Sequence, residues 1–130
     1  MTDLHVPISP GELLDKITIL RIKSVRIRDT AKLVHVRLEL ELLLATWATL
    51  GAATANVAAD EQALQAVNEQ LWEIEDRIRD KEAAGSFDQN FIDLARAVYH
   101  RNDERAAIKK RINLTLGSRI VEEKSYRPYA

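Results

Sequence analysis

The sequence predicts an all-α protein, an antiparallel bundle of three to four long helices followed by a short extended C-terminal tail. Only four glycines and three prolines occur in 130 residues, so few positions break a helix. Apolar residues recur every three or four positions over long stretches, which is the spacing of one helix face. The length fits one domain. We divide it into a bundle over residues 1–117 and a tail over residues 118–130 that lies against the bundle.

Side chains that cap helices mark where the first two helices begin. Ser9 precedes Pro10 and stands three residues before Glu12, a capping box that predicts a helix to about residue 28. Asp29 is the expected cap of a second helix, which we expect to end at Gly51. A short turn between the two is favoured over one bent rod.

The second half of the chain predicts two further helices. Residues 51–59 are small and weakly patterned, so we expect a loop there, after which Asp60 caps the third helix. Ser86 or Asp88 opens a fourth helix that Gly117 ends. Beyond that glycine the helical spacing is lost, which predicts the extended tail.

The composition excludes several classes of partner. The net charge is −1 on a background of 30% charged residues, so we expect no nucleic-acid partner. No apolar stretch reaches the roughly 18 residues of a membrane helix, and no signal-peptide pattern opens the chain, so we expect no membrane association and a cytoplasmic location. There are no cysteines, which excludes disulfides and thiolate chemistry.

Polar residues interrupt the apolar stripe of the fourth helix. At about 100° per residue, Asn102, Arg105 and Lys109 fall in the middle of the face that also carries Val98 and Ile112. Polar side chains also border the stripe of the third helix and separate two apolar arcs of the first. If the three helices meet, we expect ten side chains to converge in one interior or cleft-lining cluster, the candidate ligand-binding residues: Glu12, Lys16, Lys23, Asn68, Glu75, Arg79, Glu82, Asn102, Arg105 and Lys109.

Two interpretations of this cluster remain open. In the first, Glu12, Glu75 and Glu82 pair with the cations in a structural network, because a buried unpaired cation costs several kcal/mol. The protein is then a small interaction or accessory protein. In the second, the surplus of cations binds a small carboxylate or phosphate ligand, and the protein is a ligand-binding protein or an enzyme. No motif indicates a catalytic residue, a metal or a cofactor.

The second helix carries a second apolar stripe, opposite the main stripe, which includes Trp47 and is expected to face the core. It consists of Val34, Leu38, Leu42 and Ala45. A helix that is apolar on two sides covers two surfaces, either within one chain or between two copies. We favour a homo-oligomer, most simply a dimer.

Two segments resemble a known family of small helical proteins from proteobacteria, carried as a domain of unknown function. They are PISPGELLDKITILRIKSVRI (Pro7–Ile27) and LARAVYHRNDERAAIKKRIN (Leu94–Asn113), the latter followed by GSRIVEEKSY (Gly117–Tyr126). The resemblance spans nearly the whole chain and implies no activity. The positions that it marks include several members of the cluster and some residues outside it: Glu12, Asp15, Lys16, Lys23, Asn68, Trp72, Glu75, Asp76, Arg96, Asn102, Asp103, Arg105, Asn113 and residues 122–126.

Overall fold

The computed structural model describes residues 2–129, and within that range it contains four α-helices and no strand. The helices are α1 (Pro10–Arg26), α2 (Thr30–Ala48), α3 (Ala58–Ala83) and α4 (Gln89–Thr115), with a 3₁₀ helix at Gly51–Val57. The predicted all-helical class is confirmed. Met1 and Ala130, the outermost residues of the predicted bundle and tail, lie outside the described residues.

Three of the predicted caps are confirmed by their hydrogen bonds. The Ser9 hydroxyl accepts a bond of 3.1 Å from the backbone N–H of Glu12. Asp29 caps α2, and Asp88 caps α4 by accepting from the Phe91 N–H at 3.0 Å. The break between α1 and α2 is the short turn expected there. The reciprocal half of the capping box does not form among the described residues, because the Glu12 carboxylate binds Lys109 instead.

The predicted cap of α3 is wrong. The 3₁₀ helix continues directly into α3, whose first residue is Ala58 and whose N-cap position is Val57. Val57 is fully buried in the core, which orders the segment that was expected to be a loop. Asp60 lies within the first turn of α3 and forms an ion pair of 3.2 Å with Arg111.

The hydrophobic core lies where α1 meets the other helices. Within the described residues α1 contacts α2, α3 and α4, whereas α2 contacts α1 and the 3₁₀ helix. Trp47 is buried in the core, as its place in the main stripe of α2 predicts. The buried core residues come from every helix: Leu13, Leu14, Ile17, Trp47, Val57, Leu64, Val67, Ile108 and Ile112.

The first helix covers only part of α3. Its ion pairs reach α3 at two places, Arg21 with Glu61 at 2.8 Å and Arg26 with Glu73 at 3.0 Å. With 26 residues, α3 is about 39 Å long, whereas the 17 residues of α1 span about 26 Å. The end of α3 beyond Glu73 therefore extends past the part that α1 covers.

No single helix of the described chain is long and apolar enough to cross a membrane. The helix α2 and the following Gly51–Ala83 meet that requirement only together, as two pieces that are bent by 101°.

Candidate functional site

One buried face of α1 positions the site. Gly11, Asp15, Thr18 and Ile22 are spaced four, three and four residues apart, so they share one face of the helix, and all four are buried. This face contacts α3 and α4 through hydrogen bonds as well as apolar contacts. A carboxylate on such a face needs partners, because an unpaired buried charge is strongly unfavourable.

The Asp15 carboxylate receives hydrogen bonds from two other helices. Arg105 of α4 donates from Nε to Oδ1 at 2.8 Å and from Nη2 to Oδ2, forming a bidentate pair. Asn68 of α3 donates from Nδ2 to Oδ1 at 2.9 Å and to the Thr18 hydroxyl at 2.9 Å. The Asp15 side chain is only 2% exposed. We call Asp15, Thr18, Asn68 and Arg105 the Asp15 network.

The hydrogen bonds and charges around Asp15 and Arg105 keep both side chains charged. Burial by itself raises the pKa of Asp15, but the hydrogen bonds from Arg105 and Asn68 and the charges of Arg105 and Lys109 outweigh it. The pKa therefore lies below its ordinary value of 3.8. The hydrogen bonds to Asp15 raise the pKa of Arg105. The Asp15 network is thus ionised wherever the protein is folded at neutral pH.

Lys109 joins this network to the start of α1 and to the C-terminal segment, residues 118–129. Its Nζ lies 2.7 Å from Glu12 Oε2, 3.3 Å from Glu122 Oε2 and 3.9 Å from Asp15 Oδ2. The Lys109 side chain is 12% exposed. Hydrogen bonds from Lys124 and Lys109 lower the pKa of Glu122. The ammonium group therefore donates hydrogen bonds to Glu12 and Glu122 and lies within ion-pair distance of Asp15.

Gly11 sets how closely α1 approaches α4. Its backbone N–H donates to Asn113 Oδ1 at 2.7 Å, and Asn113 is itself buried. A Cβ at this position would lie 2.5 Å from the Lys109 carbonyl oxygen and 2.8 Å from Asn113 Oδ1. Any larger residue would force the two helices apart.

A groove lies beside the Asp15 network, between α4 and the C-terminal segment. Its volume is about 1100 Å³ and it is open to solvent. The segment contacts α4 on both sides of this space. On one side Glu122 pairs with Lys109 and Glu123 with Lys110. On the other side the Tyr129 hydroxyl lies 3.1 Å from His100 Nδ1. We call this space the C-terminal groove. It is lined by Glu12, Val98, Tyr99, Asn102, Asp103, Arg105, Ala106, Lys109, Glu122, Lys124, Tyr126, Arg127, Pro128 and Tyr129.

The structure brings half of the ten predicted cluster residues together. Four of them, Glu12, Asn102, Arg105 and Lys109, line the groove. Asn102 Oδ1 lies 3.4 Å from Arg105 Nη1. Asn68 is the fifth, and it is linked to Arg105 because both donate hydrogen bonds to Asp15 Oδ1.

The other five residues lie apart from this group. Glu75 and Arg79 are exposed and form only a loose pair with each other, at 4.0 Å. Glu82 and Lys16 are also exposed, and Lys23 is half-buried. Of the pairs expected among the cluster residues, Glu12 with Lys109 forms at 2.7 Å and Glu75 contacts Arg79, whereas the ion pairs of the described residues include none of Glu82 and none between Glu75 and a cation of α4.

Sequence reasoning missed the central carboxylate. The two apolar arcs of α1 do not include Asp15, which only the family resemblance marks in the sequence. The four-three-four spacing of Gly11, Asp15, Thr18 and Ile22 is the signal that marks this face in the sequence. Glu122 and Tyr126 are among the positions that the family resemblance marks, but no spacing in the sequence indicates that they line a groove with α4.

Metal binding finds no support in this arrangement. Among residues 2–129, no group of three or more histidine, aspartate or glutamate side chains is placed to hold a metal ion. Two carboxylates that line the groove, Glu12 and Glu122, are instead bound to lysine side chains.

Fold and site together define an all-helical protein with an open groove next to a buried, charge-paired network. The chain belongs to a family of unknown function, DUF6165, whose model matches residues 4–129. No curated protein and no solved structure matches it. The resemblance to a domain of unknown function is thus confirmed, and family membership assigns no activity.

Proposed function

We propose that the protein binds a small molecule with one carboxylate or phosphate group in the C-terminal groove. The observation that carries this proposal is an open groove of about 1100 Å³ whose floor contains Arg105 and Lys109. Ligand sites of small molecules are typically clefts of about 300–1,000 Å³ with a few well-placed polar groups. The groove is large enough for a ligand of this kind.

Asp15 holds the Arg105 guanidinium in a fixed orientation beside the groove. Asp15 occupies two of the five N–H groups of the guanidinium, and Asn102 lies 3.4 Å from a third donor. The other N–H groups remain available, and the Arg105 side chain is 29% exposed. Because Asp15 fixes the guanidinium, binding an acid group costs little side-chain entropy.

The charges around the groove favour a ligand with a single acidic group. Its lining carries four cations, Arg105, Lys109, Lys124 and Arg127, against three carboxylates. The buried Asp15 behind Arg105 offsets the remaining positive charge. A polyanion would therefore meet as many negative as positive charges, whereas we expect one carboxylate or phosphate to be bound by Arg105 together with Arg127.

Aromatic rings supply the second part of the proposed site. Tyr99, Tyr126 and Tyr129 all line the groove, and the rings of Tyr99 and Tyr129 are 5.0 Å apart. Tyrosine combines a flat apolar surface with a hydroxyl group. We therefore expect a ligand with a ring or other flat body attached to its acidic group.

The test measures binding to the full chain by calorimetry, with adenosine monophosphate, glucose 6-phosphate, benzoate and inorganic phosphate as probes. We expect a probe that combines a ring with an acidic group to bind more tightly than inorganic phosphate. Arg127→Gln should weaken that binding about tenfold, the order expected for one charge-assisted contact. Because Arg127 lies in an exposed segment, the melting temperature of the free protein should not change.

Arg79→Gln is the matched control, since Arg79 is exposed and does not line the groove. It should leave binding unchanged. Failure of every probe to bind at millimolar concentration, or equal losses in both variants, would refute the groove as the site.

We further infer the arrangement of the helices, the position of the C-terminal tail and the cellular location of the protein. Short connections between consecutive contacting helices support an antiparallel bundle. The contacts of Glu122, Glu123 and Tyr129 with α4 support a tail that lies on it. The cysteine-free composition and the family resemblance support a protein of the proteobacterial cytoplasm.

A further inference from the structure

The outer face of α2 is apolar and uncovered. Val34, Leu38 and Leu42 are 64%, 55% and 47% exposed, although they recur every four residues along one face. The opposite face carries the buried Val36 and Trp47. Within residues 2–129, α2 contacts only α1 and the 3₁₀ helix, so no helix of the described chain covers this outer face. A continuous apolar stripe of this kind is typical of an interaction surface.

We propose that this face binds the same face of a second copy of the chain, with the two α2 helices antiparallel about a two-fold axis near Glu39. The proposal is independent of the C-terminal groove, because it uses another helix and other residues. In such a pair each partner presents the same stripe, so the stripe of Val34, Leu38 and Leu42 packs against its own copy running in the opposite direction.

Charge complementarity supports a second copy as the occupant. Arg37 and Glu41 are both exposed and lie on the same flank of the apolar stripe, at roughly 100° and 60° from Leu38 on the helical wheel. An antiparallel two-fold pair brings the same flank of both helices together with the chain direction reversed. With the axis level with Glu39, Arg37 faces Glu41 of the partner subunit, and Glu41 faces Arg37 of the partner subunit.

These two charges are unpaired in one chain. The ion pairs of the described residues include neither of them. A helix that binds a membrane surface typically carries lysine and arginine along its polar flanks. The flank of α2 instead carries one positive and one negative charge, Arg37 and Glu41. This pattern is complementary to its own reversed copy, whereas an anionic membrane surface would repel Glu41.

The first experiment measures the mass of the full chain in solution by sedimentation velocity over roughly a hundredfold range of concentration. We expect a monomer–dimer equilibrium for the natural sequence. Leu38→Glu should abolish the dimer, because it places two carboxylates next to the two-fold axis. Since Leu38 is already half exposed in one chain, the helical circular dichroism of this variant should be retained.

The second experiment tests the predicted charge pairs by a swap. Arg37→Glu alone and Glu41→Arg alone should each weaken the dimer by about tenfold, because each places like charges opposite one another at two symmetric positions. The double variant Arg37→Glu/Glu41→Arg should restore the dimer, since each pair is re-formed with the signs exchanged. This rescue does not depend on whether Leu38→Glu folds.

Lys32→Glu is the matched control, a charge reversal on the other flank of α2. It should leave the dimer unchanged. A monomer at every concentration overturns the proposal. An oligomer that persists in Leu38→Glu and in both single charge reversals also overturns it, because its interface then lies elsewhere. A double variant whose dimer is no tighter than those of the single variants overturns it as well.

Discussion

The carboxylate of Asp15 lies where α1, α3 and α4 meet, and it receives hydrogen bonds from the latter two. The Asn68 amide and the Arg105 guanidinium satisfy it, and Lys109 adds a second positive charge at 3.9 Å. A buried ion pair contributes little net stability over apolar residues, but loss of one partner leaves the other uncompensated. The effect of replacing Asp15 on the free energy of unfolding should therefore depend strongly on whether Arg105 is present, and the reverse should also hold.

Asp15→Asn should destabilise the protein by about 3 kcal/mol at neutral pH, because Arg105 loses its counter-charge. The pKa of Asp15 is lowered in the folded protein, so its stabilising contribution is present above 3.8 and is lost as the pH falls through the folded pKa. Urea unfolding of both proteins at neutral and acidic pH should therefore show a difference that shrinks on acidification. Glu75→Gln, at an exposed position, is the control and should change stability little.

The double variant Asp15→Leu/Arg105→Met should recover much of the stability that Asp15→Asn loses, since no charge then remains unpaired. The single variants Asp15→Leu and Arg105→Met complete the cycle, and losses that simply add in the double variant would contradict the pairing. A difference from the natural protein that does not depend on pH would contradict the ionised state of Asp15.

At the scale of helices, the position of α1 decides which polar residues reach the site. It contacts α3 between Glu61 and Glu73, so Asn68 lies inside the covered region. Glu75, Arg79 and Glu82 are on a similar side of α3 but lie beyond the contact. A helical wheel gives the direction in which a side chain points, and it carries no information on where another helix crosses. This is why Asn68 reaches the site whereas Glu75, Arg79 and Glu82 do not.

Gly11→Ala tests the close approach of α1 to α4. The added Cβ would lie 2.5 Å from the Lys109 carbonyl oxygen, a backbone atom that cannot move without its helix. We expect a loss of about 2 kcal/mol, typical of overpacking, in spite of the higher helix propensity of alanine. Thermal unfolding measures the loss. An unchanged or higher melting temperature would show that α1 does not pack so closely on α4.

The whole molecule combines a core centred on α1 with a second helix that is covered on one side only. Trp47 and Val36 bury the inner side of α2, whereas Leu38 stays exposed on the outer side. A small domain gains a substantial fraction of its stability from each helix face that it buries. We therefore expect the stability of this chain to depend on its association with a second copy.

The melting temperature of the natural protein should accordingly rise with protein concentration, because association stabilises the folded state by mass action. The melting temperature of Leu38→Glu should be constant over the same range. Differential scanning calorimetry at several concentrations measures both. A constant melting temperature for the natural protein would argue against a dimer that contributes to stability.

The sequence by itself determined the all-helical class, the caps at Ser9, Asp29 and Asp88, the burial of Trp47 and the polar interruption of α4. These features depend on neighbours within about one helical turn, so composition and spacing reveal them. Only the tertiary structure decided that Arg105 pairs with Asp15, a residue ninety positions away, and that residues 118–129 enclose a groove on α4. Such contacts depend on where helices cross and how closely they approach, which no local pattern specifies.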